Sequence, residues 1–219
     1  MSTILITGAN RGIGLALARR FHQRGDQVIA ACRRSSDELD RLGVRVEADV
    51  DVTAGDSLAA LNQRLDGVIL DLLINNAGVM RQTSFEDIED ELNAYRLQFE
   101  VNSLAPLRVT RALLGKLAPD ARVAIVTSRM GSIADNDSGG YYGYRMSKAA
   151  VNIAGVSLAH ELRPRGIAVV LLHPGYVRTD MTGNTGHVDT DESAAGLVQR
   201  IDELTLDTTG TFWHASGER

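Results

Sequence analysis

The sequence predicts an α/β protein in which about seven parallel strands form a doubly wound sheet, with helices on both faces giving three layers, α/β/α. Two observations predict this fold. Short apolar runs alternate along the chain with longer segments whose apolar residues recur at helical spacing. Glycine-rich or polar motifs follow most of the apolar runs, and in such sheets ligands bind at the carboxyl ends of the strands.

The composition is that of a globular protein that acts on a small molecule. With 219 residues and a formal net charge of -5, the chain has no basic excess that would favour nucleic acid or an anionic membrane. Its apolar runs fall far short of the ~20 residues of a membrane span. Cys32 is the only cysteine, the chain opens without a signal peptide, and no histidines have metal-ligand spacing. We therefore expect one cytoplasmic domain over residues 1–219, without a metal.

The first strand, residues 3–7, leads into the glycine-rich letters TGANRGIG and then a helical pattern. Glycines let the backbone approach a pyrophosphate closely, and a helix N-terminus attracts its charge. The GxxxGxG spacing alone fits a plain glycine-rich turn equally well. The candidate cofactor-binding residues of this loop are Gly8, Asn10, Arg11, Gly12, Ile13 and Gly14.

The second strand, residues 27–31, precedes the position that selects between the two nicotinamide cofactors. Arg33 and Arg34 stand there with no acidic residue. Arginine suits a ribose 2′-phosphate, whereas an acidic side chain suits a 2′-hydroxyl, so NADP(H) is favoured and NAD(H) remains an option. Arg11 could supply a second cation. Alternatively, the arginines form a solvated charged run, or Asp37 or Glu38 reaches the ribose.

Two further strands, residues 44–50 and 68–74, also end in polar motifs. Asp51 and Val52 follow the first, ahead of an amphipathic helix through residue 65. Asp51 is a candidate acceptor for the adenine amino group, with Asp49 as a rival, and either could simply cap a turn. Residues 75–78, NNAG, follow the second strand, and they fit close approach to a ribose or hydrogen bonding between neighbouring strands.

A helix with an interruption is predicted over residues 88–117, which contain Asn102 and Pro106. Proline lacks the N–H that would bond the carbonyl four residues back, here that of Asn102. The freed carbonyl could hold a water and open a proton path. A kinked structural helix is the simpler explanation, and the sequence alone favours it.

The fifth strand, residues 123–127, leads to Ser128, and after a polar loop a helix carries Tyr144 and Lys148. Residues i and i+4 share a helix face, so an ammonium can lie beside the phenol. At ~4 Å and an effective dielectric of about 20 the interaction is ~4 kcal/mol, or roughly three pKa units. The pKa of the phenol would then fall close to neutrality, where a tyrosine can give or take a proton.

The rest of the chain completes the Rossmann-type pattern. A sixth strand, residues 167–173, ends at Pro174 and Gly175. Residues 176–190 are predicted to be a short, mobile and polar substrate loop, residues 191–204 a helix, and residues 210–214 a last strand.

Taken together, these motifs resemble those of the short-chain dehydrogenase/reductase family over nearly the whole chain. The glycine loop is similar to the family's TGxxxGxG, residues 75–78 to its NNAG, and Tyr144 with Lys148 to its YxxxK. Asn102, Ser128 and Pro174 fall in family order. The letters around Ser128 and Tyr144 resemble the C-factor and carbonyl-reductase branch.

The resemblance implies a role for each of these residues. Tyr144 would be the general acid in reduction and the base in oxidation, with Lys148 lowering its pKa and holding the nicotinamide ribose. Ser128 would bond the substrate oxygen and Asn102 a relay water. The implied cofactor contacts are Gly12 and Ile13 at the pyrophosphate, Asn76, Ala77 and Gly78 at the ribose, and Pro174, Gly175, Val177 and Thr179 at the nicotinamide end.

The implied activity is that of an oxidoreductase that moves a hydride between NADP(H) and a carbonyl or alcohol substrate. The alternative is a nucleotide-binding regulatory or signalling protein with a vestigial site, but all four catalytic positions hold competent residues. Ser128 and Tyr144 are 16 residues apart, longer than usual in the family, so Ser132 is a rival for the substrate contact. The short loop at residues 176–190 predicts loose specificity. Relatives are often dimers or tetramers, so a homo-oligomer is a further expectation.

Overall fold

Seven parallel strands form one sheet in the computed structural model, which describes residues 1–219. The order across the sheet is β3-β2-β1-β4-β5-β6-β7. The strands span Thr3–Thr7 (β1), Gln27–Ala31 (β2), Arg45–Glu47 (β3), Leu70–Asn75 (β4), Leu117–Val126 (β5), Ala168–His173 (β6) and Thr211–His214 (β7). The α-helices span Gly12–Gln23 (α1), Asp37–Asp40 (α2), Gly55–Arg64 (α3), Ile88–Phe99 (α4), Ala105–Leu113 (α5), Tyr142–Leu162 (α6) and Thr190–Asp202 (α7).

Two apolar cores lie on opposite faces of this sheet, which confirms the predicted three layers. Leu17 of α1 and Leu197 of α7 belong to one core. Leu61 of α3 and Val151 of α6 belong to the other. In β1, Ile4 and Ile6 enter one core and Leu5 enters the other, so the middle of the strand is buried on both faces. This burial on both faces explains why the strands read as continuous apolar runs.

The order of the strands places a crevice between β1 and β4. The chain builds β1, β2 and β3 in one direction and then crosses to β4 on the other side of β1. The connections that leave β1 and β4 therefore diverge, and ligands of doubly wound sheets bind at such a switch point. Thr7 and Asn75 end these two strands, so the glycine-rich loop and the NNAG segment meet there.

Several boundaries differ from the predicted ones for local reasons. β3 is shorter than residues 44–50, and Asp49 beyond it has a φ of +58° that strand residues do not adopt. β5 begins at Leu117, earlier than the predicted residue 123, and its first half was not predicted because Pro119 and Asp120 interrupt its apolar pattern. The short helix α2 was not predicted. It begins where the Ser36 hydroxyl accepts from the Leu39 N–H at 3.2 Å.

The predicted interruption of the helix over residues 88–117 is confirmed. One turn of π-helix, Glu100–Leu104, separates α4 from α5 and contains Asn102. Pro106 lies in the first turn of α5, where a residue without an N–H is tolerated. Single π turns are frequent at functional sites.

The segment after β6 contains no long helix, as predicted for a short substrate loop. Val177 and Val188 form a parallel bridge, and a turn of 3₁₀-helix, Asp180–Thr182, lies between them. The Thr182 hydroxyl donates to the Val177 carbonyl at 2.6 Å. None of the helices combines the length and the apolar character that crossing a bilayer requires.

Candidate active site

The glycine-rich loop packs against the end of β4 so closely that side chains are excluded. A Cβ on Gly8, whose φ is +66°, would lie 2.9 Å from the Ala77 Cα. A Cβ on Gly14 would lie 2.3 Å from the Gly8 oxygen. α1 then begins at Gly12 without a side-chain cap, so its first N–H groups are free to meet an anion.

Asn76 and Thr7 tie this loop to the NNAG segment. The Thr7 hydroxyl oxygen accepts from the N–H groups of Asn76 and Ala77, both at 3.1 Å. The Asn76 side-chain amide donates to the carbonyls of Thr7 and Gly8 at 3.0 and 3.1 Å. Of the two roles considered for Asn76, hydrogen bonding between neighbouring strands is the one its side chain performs, which leaves only its backbone carbonyl for a ribose.

The end of the crevice after β2 is bordered by exposed cations and one ionised carboxylate. Arg33 and Arg34 are exposed after β2 and form no ion pair. Hydrogen bonds from Thr53 hold the pKa of Asp51 below its usual value, and the charge of Arg33 adds to this effect. Asp49, the rival of Asp51, is also exposed.

Arg11 is engaged differently from the role considered for it. Its guanidinium lies 3.1 Å from the carboxylate of Asp180, in the segment after β6. The side chains of Arg11 and Asp180 are 70% and 71% exposed. Such exposed pairs contribute little, so Arg11 remains exchangeable between Asp180 and a phosphate.

Three other residues of the crevice also make structural contacts. The Asn10 carbonyl accepts from the Ser36 hydroxyl at 2.7 Å and thereby joins the glycine loop to the start of α2. Val52 packs against the core on the α3 side of the sheet. Ile13 packs against the opposite core.

Tyr144 and Lys148 lie one turn apart on α6, as the spacing predicts, and both are buried, at 8% and 4% exposure. The Lys148 ammonium lies 5.7 Å from the centre of the Tyr144 ring. It donates to the Val126 carbonyl at the end of β5, at 3.1 Å. The ammonium is therefore held beside the phenol by the sheet.

The predicted near-neutral pKa of Tyr144 is wrong for this structure. Burial raises the pKa of Tyr144 to about 12, and a hydrogen bond with the Ser128 hydroxyl opposes the rise only in part. Burial also lowers the pKa of Lys148 to about 8. Helical spacing carries no information on burial, and here the cost of taking each charge out of water exceeds the attraction between them. Tyr144 is consequently a protonated phenol at neutral pH.

Ser128 is the serine that faces Tyr144. It follows β5, is 7% exposed, and accepts at Oγ from the Met130 N–H at 3.1 Å, which leaves its own hydrogen free to donate. The rival Ser132 instead accepts from the Asp135 N–H at 3.3 Å, within the loop that follows. The structure therefore favours Ser128 for a substrate oxygen that also faces Tyr144.

Asn102 lies at the centre of the site in the π-helical turn and is 1% exposed. Its side chain accepts from the Val79 N–H at 2.9 Å and donates to the Val79 carbonyl at 2.8 Å. It also donates to the Ser147 hydroxyl on α6 at 3.0 Å. A Cβ on Gly78 would lie 3.4 Å from the Asn102 Oδ1 and 4.0 Å from the Lys148 ammonium. Gly78 thus keeps the space between these two residues open.

The segment after β6 closes the opposite side of the crevice. Gly175 has a φ of +89°, and the Pro174 carbonyl accepts from the Ser193 hydroxyl of α7 at 2.7 Å. The Thr179 methyl faces the glycine loop, 3.5 Å from where a Cβ on Gly12 would stand. Val177 is buried beneath them. These residues border the same crevice as the glycine loop.

A buried polar network that supports the site was not predicted. The Gln98 side chain, fully buried on α4, accepts from the Arg81 N–H at 2.9 Å. The Thr83 hydroxyl accepts from the Gly143 N–H at 3.0 Å, at the start of α6. No sequence motif marks these residues, because their role depends on contacts between distant segments.

His173 lies at the end of β6, where its ring is near those of Phe212 and His214. Its Nδ1 is buried without a hydrogen-bond partner. Burial, followed by the charges of His214, Arg129 and Lys148, lowers the pKa of His173 to about 3. The His173 ring is therefore uncharged at neutral pH, and the positive charge nearest Tyr144 is that of Lys148.

Comparisons with known proteins agree with this geometry. A family model described as short chain dehydrogenase matches residues 2–189. The chain is 44% identical over 223 residues to 1-hydroxy-2-glutathionyl-2-methyl-3-butene dehydrogenase of Rhodococcus sp. (strain AD45), covering 99% of this chain and 98% of that protein. It is 47% identical over 150 residues to C-signal of Myxococcus xanthus, covering 68% of this chain and 90% of that protein.

A solved structure shares the whole fold. The NADPH-bound carbonyl reductase from chicken fatty liver superposes with a TM-score of 0.89 at 29% identity, covering 100% of this chain and 98% of that one. Similarity to C-signal and to a carbonyl reductase confirms the predicted branch.

Proposed function

The chain belongs to the short-chain dehydrogenase/reductase family and is an oxidoreductase, and from this premise we propose that it transfers a hydride between NADP(H) and a ketone, an aldehyde or the corresponding alcohol. The observation that carries the proposal is the convergence of two buried hydroxyls, on Ser128 and Tyr144, beside the buried ammonium of Lys148. Burying polar groups costs stability, so a site that had lost its function would not be expected to retain all three of these groups in buried positions.

The crevice fits a nicotinamide dinucleotide. The glycine loop has no room for a Cβ at Gly8 or Gly14, and the first N–H groups of α1 lack a side-chain cap. Gly78 leaves open space beside Lys148. The cofactor would supply the hydride in reduction and accept it in oxidation. The residues that would hold it are Gly8, Asn10, Arg11, Gly12, Ile13, Gly14, Arg33, Asp51, Val52, Asn76, Ala77, Gly78, Tyr144, Lys148, Pro174, Gly175, Val177 and Thr179.

Tyr144 would act as the acid during reduction. Its pKa of about 12 keeps the proton on the phenol at neutral pH. As negative charge develops on the substrate oxygen, the Ser128 hydroxyl donates a hydrogen bond to it and Tyr144 transfers its proton. The ammonium of Lys148, charged below its pKa of about 8, then stabilises the phenolate that remains. Oxidation would begin from the phenolate, with Tyr144 accepting the proton of the alcohol.

NADP(H) is the preferred cofactor in this proposal. Arg33 and Arg34 are exposed after β2 without a carboxylate partner, and the acidic residues nearest in sequence, Asp37 and Glu38, lie in the first turn of α2. Acidic side chains are favourable at that helix end, which accounts for both of them without a ribose. The NADPH-bound carbonyl reductase with the same fold agrees with this preference.

A screen of ketones and aldehydes, with the oxidation of NADPH as readout, tests the proposed function. We expect turnover with several of them, and slower turnover with NADH at equal concentration. If NADPH binds but no carbonyl or alcohol is converted in either direction, the regulatory alternative replaces the enzyme.

A second candidate substrate class is an alcohol that carries a glutathionyl group. The relative that is 44% identical over almost the whole chain is named for such a substrate. Arg81 and Arg129 are exposed and form no ion pair. Arg81 lies two residues after Val79, whose N–H bonds Asn102, and Arg129 directly follows Ser128. They could meet the carboxylates of a glutathionyl group. Comparing a glutathionyl alcohol with its unconjugated parent tests this, and equal kcat/KM values would reject it.

A further inference from the structure

Arg145, the residue after Tyr144, gathers four acceptors from the loop that joins Ser128 to α6. We call residues 129–140 the serine loop. The Arg145 Nε donates to the carbonyls of Gly139 and Gly140 at 3.3 and 3.2 Å. Nη1 donates to the Met130 carbonyl at 3.4 Å, and Nη2 to the Ser138 hydroxyl at 2.9 Å. One guanidinium therefore joins the beginning of the serine loop to its end.

No carboxylate competes for this guanidinium. Arg145 belongs to none of the ion pairs of the protein, although nine other arginines form ten of them. Its side chain is half-buried, so its charge is solvated by loop acceptors in place of water. A planar guanidinium spreads five N–H donors over three nitrogens and can span acceptors that lie apart, whereas the three donors of a lysine ammonium share one nitrogen.

The serine loop needs such support. Gly139, Gly140 and Tyr141 follow one another with φ values of +64°, +65° and +50°. A tyrosine in this left-handed conformation is strained, and such backbone persists only where the surrounding structure holds it. The other side-chain hydrogen bonds of the loop are local, such as that from the Gly139 N–H to the Asn136 side chain at 3.2 Å. Arg145 is the side chain that fastens the end of the loop to α6.

We propose that Arg145 is a specificity-determining positioning residue, which holds the serine loop as a fixed wall of the substrate site. The inference rests on the proposed function, because a wall matters only if a carbonyl substrate binds between Ser128 and Tyr144. Tyr144 lies in α6 and Ser128 lies two residues after β5, so we expect both to keep their places without Arg145. Losing the fork should therefore weaken substrate binding more than the chemical step.

Arg145→Gln tests this in the full-length protein, with Arg111→Gln as the matched control, since Arg111 is exposed on α5 and forms no ion pair. For a bulky aromatic ketone we expect KM to rise roughly 10-fold while kcat falls less than about threefold. The Kd for NADPH should stay within about twofold. The KM of a small aldehyde should rise less than that of the bulky ketone. An unchanged KM, or equal losses in KM, kcat and NADPH affinity, would overturn the proposal.

Two more variants separate the fork from its charge and from the fold. Arg145→Lys keeps the charge, and we expect its KM to remain within about threefold of that of Arg145→Gln. A return to the wild-type KM would show that charge alone is sufficient and would reject the fork. Ser138→Ala removes one exposed acceptor and should shift KM in the same direction by a smaller factor. If Arg145→Gln does not fold, Ser138→Ala replaces it as the test, and an unchanged KM in Ser138→Ala would then count against the proposal.

Hydrogen exchange distinguishes failure of this inference from failure of the proposed function. In Arg145→Gln, amides of residues 132–141 should exchange at least about 10-fold faster, while amides in the second half of α6 stay unchanged. If no carbonyl is reduced by the wild type but this exchange still rises, the enzyme proposal fails and Arg145 keeps only a structural role. If the wild type is active and exchange does not change, Arg145 does not hold the loop.

Discussion

At the scale of single residues, burial governs the behaviour of Tyr144 and Lys148. The sequence predicted the pair from its spacing, and the structure places the ammonium 5.7 Å from the ring centre. Their pKa values could not be predicted, because the spacing does not tell how much water reaches either group. Desolvation moves the pKa of Tyr144 upward and that of Lys148 downward, and both changes disfavour the charged forms.

Replacing Lys148 should therefore stabilise the protein while it removes activity. The pKa of Lys148 is about 8 in the folded protein, below the ~10.4 of an unfolded lysine. Between these values the unfolded chain binds more protons, so stability rises with pH across this window. Lys148→Met avoids burying an ammonium, and we expect it to gain about 1 to 3 kcal/mol in the free energy of unfolding at pH 7.

Denaturant unfolding of both proteins at pH 7 and pH 9.5 checks this prediction. The stability advantage of Lys148→Met should shrink as pH rises, because the wild type no longer pays for the buried charge. A variant that is less stable than the wild type at pH 7 would show that the hydrogen bond to Val126 outweighs desolvation. Tyr144, with its raised pKa, has the opposite sign: its contribution to stability is lost between pH ~10 and about 12.

Arg33 should set the preference between the two cofactors. An arginine bound to a 2′-phosphate forms charge-assisted hydrogen bonds of roughly 1.5 to 3 kcal/mol, or about 10- to 150-fold in affinity. Arg33→Ala should weaken NADPH by such a factor and leave NADH nearly unchanged. Arg41→Ala, at an exposed position without an ion pair, is the control. Titration of both cofactors by fluorescence would reject the assignment if NADPH and NADH weaken equally.

At the scale of elements, the motifs that end strands were easier to predict than the elements themselves. The glycine loop and NNAG are recognisable because they need unusual backbone or close packing, which few residue types allow. β5 was predicted too short because Pro119 and Asp120 interrupt its apolar pattern. The four residues of α2 contain less than two turns, too few for helical periodicity. The support from Gln98 and Thr83 could not be predicted, since it joins segments far apart in sequence.

The tight packing of the glycine loop gives a prediction for Gly14→Ala. The new Cβ would lie 2.3 Å from the Gly8 oxygen and 2.5 Å from the Asn76 side-chain nitrogen, so the loop must move. We expect a loss of about 1 to 3 kcal/mol in stability and at least about 10-fold weaker NADPH binding. Gly55→Ala is the control, because nothing lies within 4 Å of its Cβ position and its φ is not positive. Equal cofactor affinity in both variants would contradict the assigned cradle.

At the scale of the whole molecule, the parallel order β3-β2-β1-β4-β5-β6-β7 brings the site together. Candidate site residues that are as far apart in sequence as Gly8 and Thr179 meet at one edge of the sheet. They do so because the carboxyl ends of all seven strands lie at that edge. Alternation of apolar runs and helices was sufficient to predict this edge, since parallel strands need helical crossovers. The assignment of each side chain to one core or the other followed only from the structure, because β1 and β4 to β6 are buried on both faces.

A cofactor that spans this edge should stabilise the entire fold. At a free concentration of 100 times Kd, binding to the native state adds ~2.7 kcal/mol. For a protein of this size each kcal/mol raises Tm by roughly 2 to 4 °C, so NADPH should raise Tm by about 5 to 11 °C. Thermal unfolding with NADPH, and with NADH at the same concentration, measures this. A larger shift with NADH would contradict the preference assigned to Arg33 and Arg34.

In the proposed hydride-transfer reaction Tyr144 supplies the proton, and substitution of this one residue isolates that role. Tyr144→Phe removes only the hydroxyl, and Tyr142→Phe is its control because Tyr142 is exposed and has no lysine one turn later. Turnover and the Kd for NADPH are measured for both, with a carbonyl substrate found in the screen. We predict that Tyr144→Phe loses at least about 100-fold in kcat with NADPH affinity intact, whereas Tyr142→Phe turns over normally. Normal turnover by Tyr144→Phe would contradict the account.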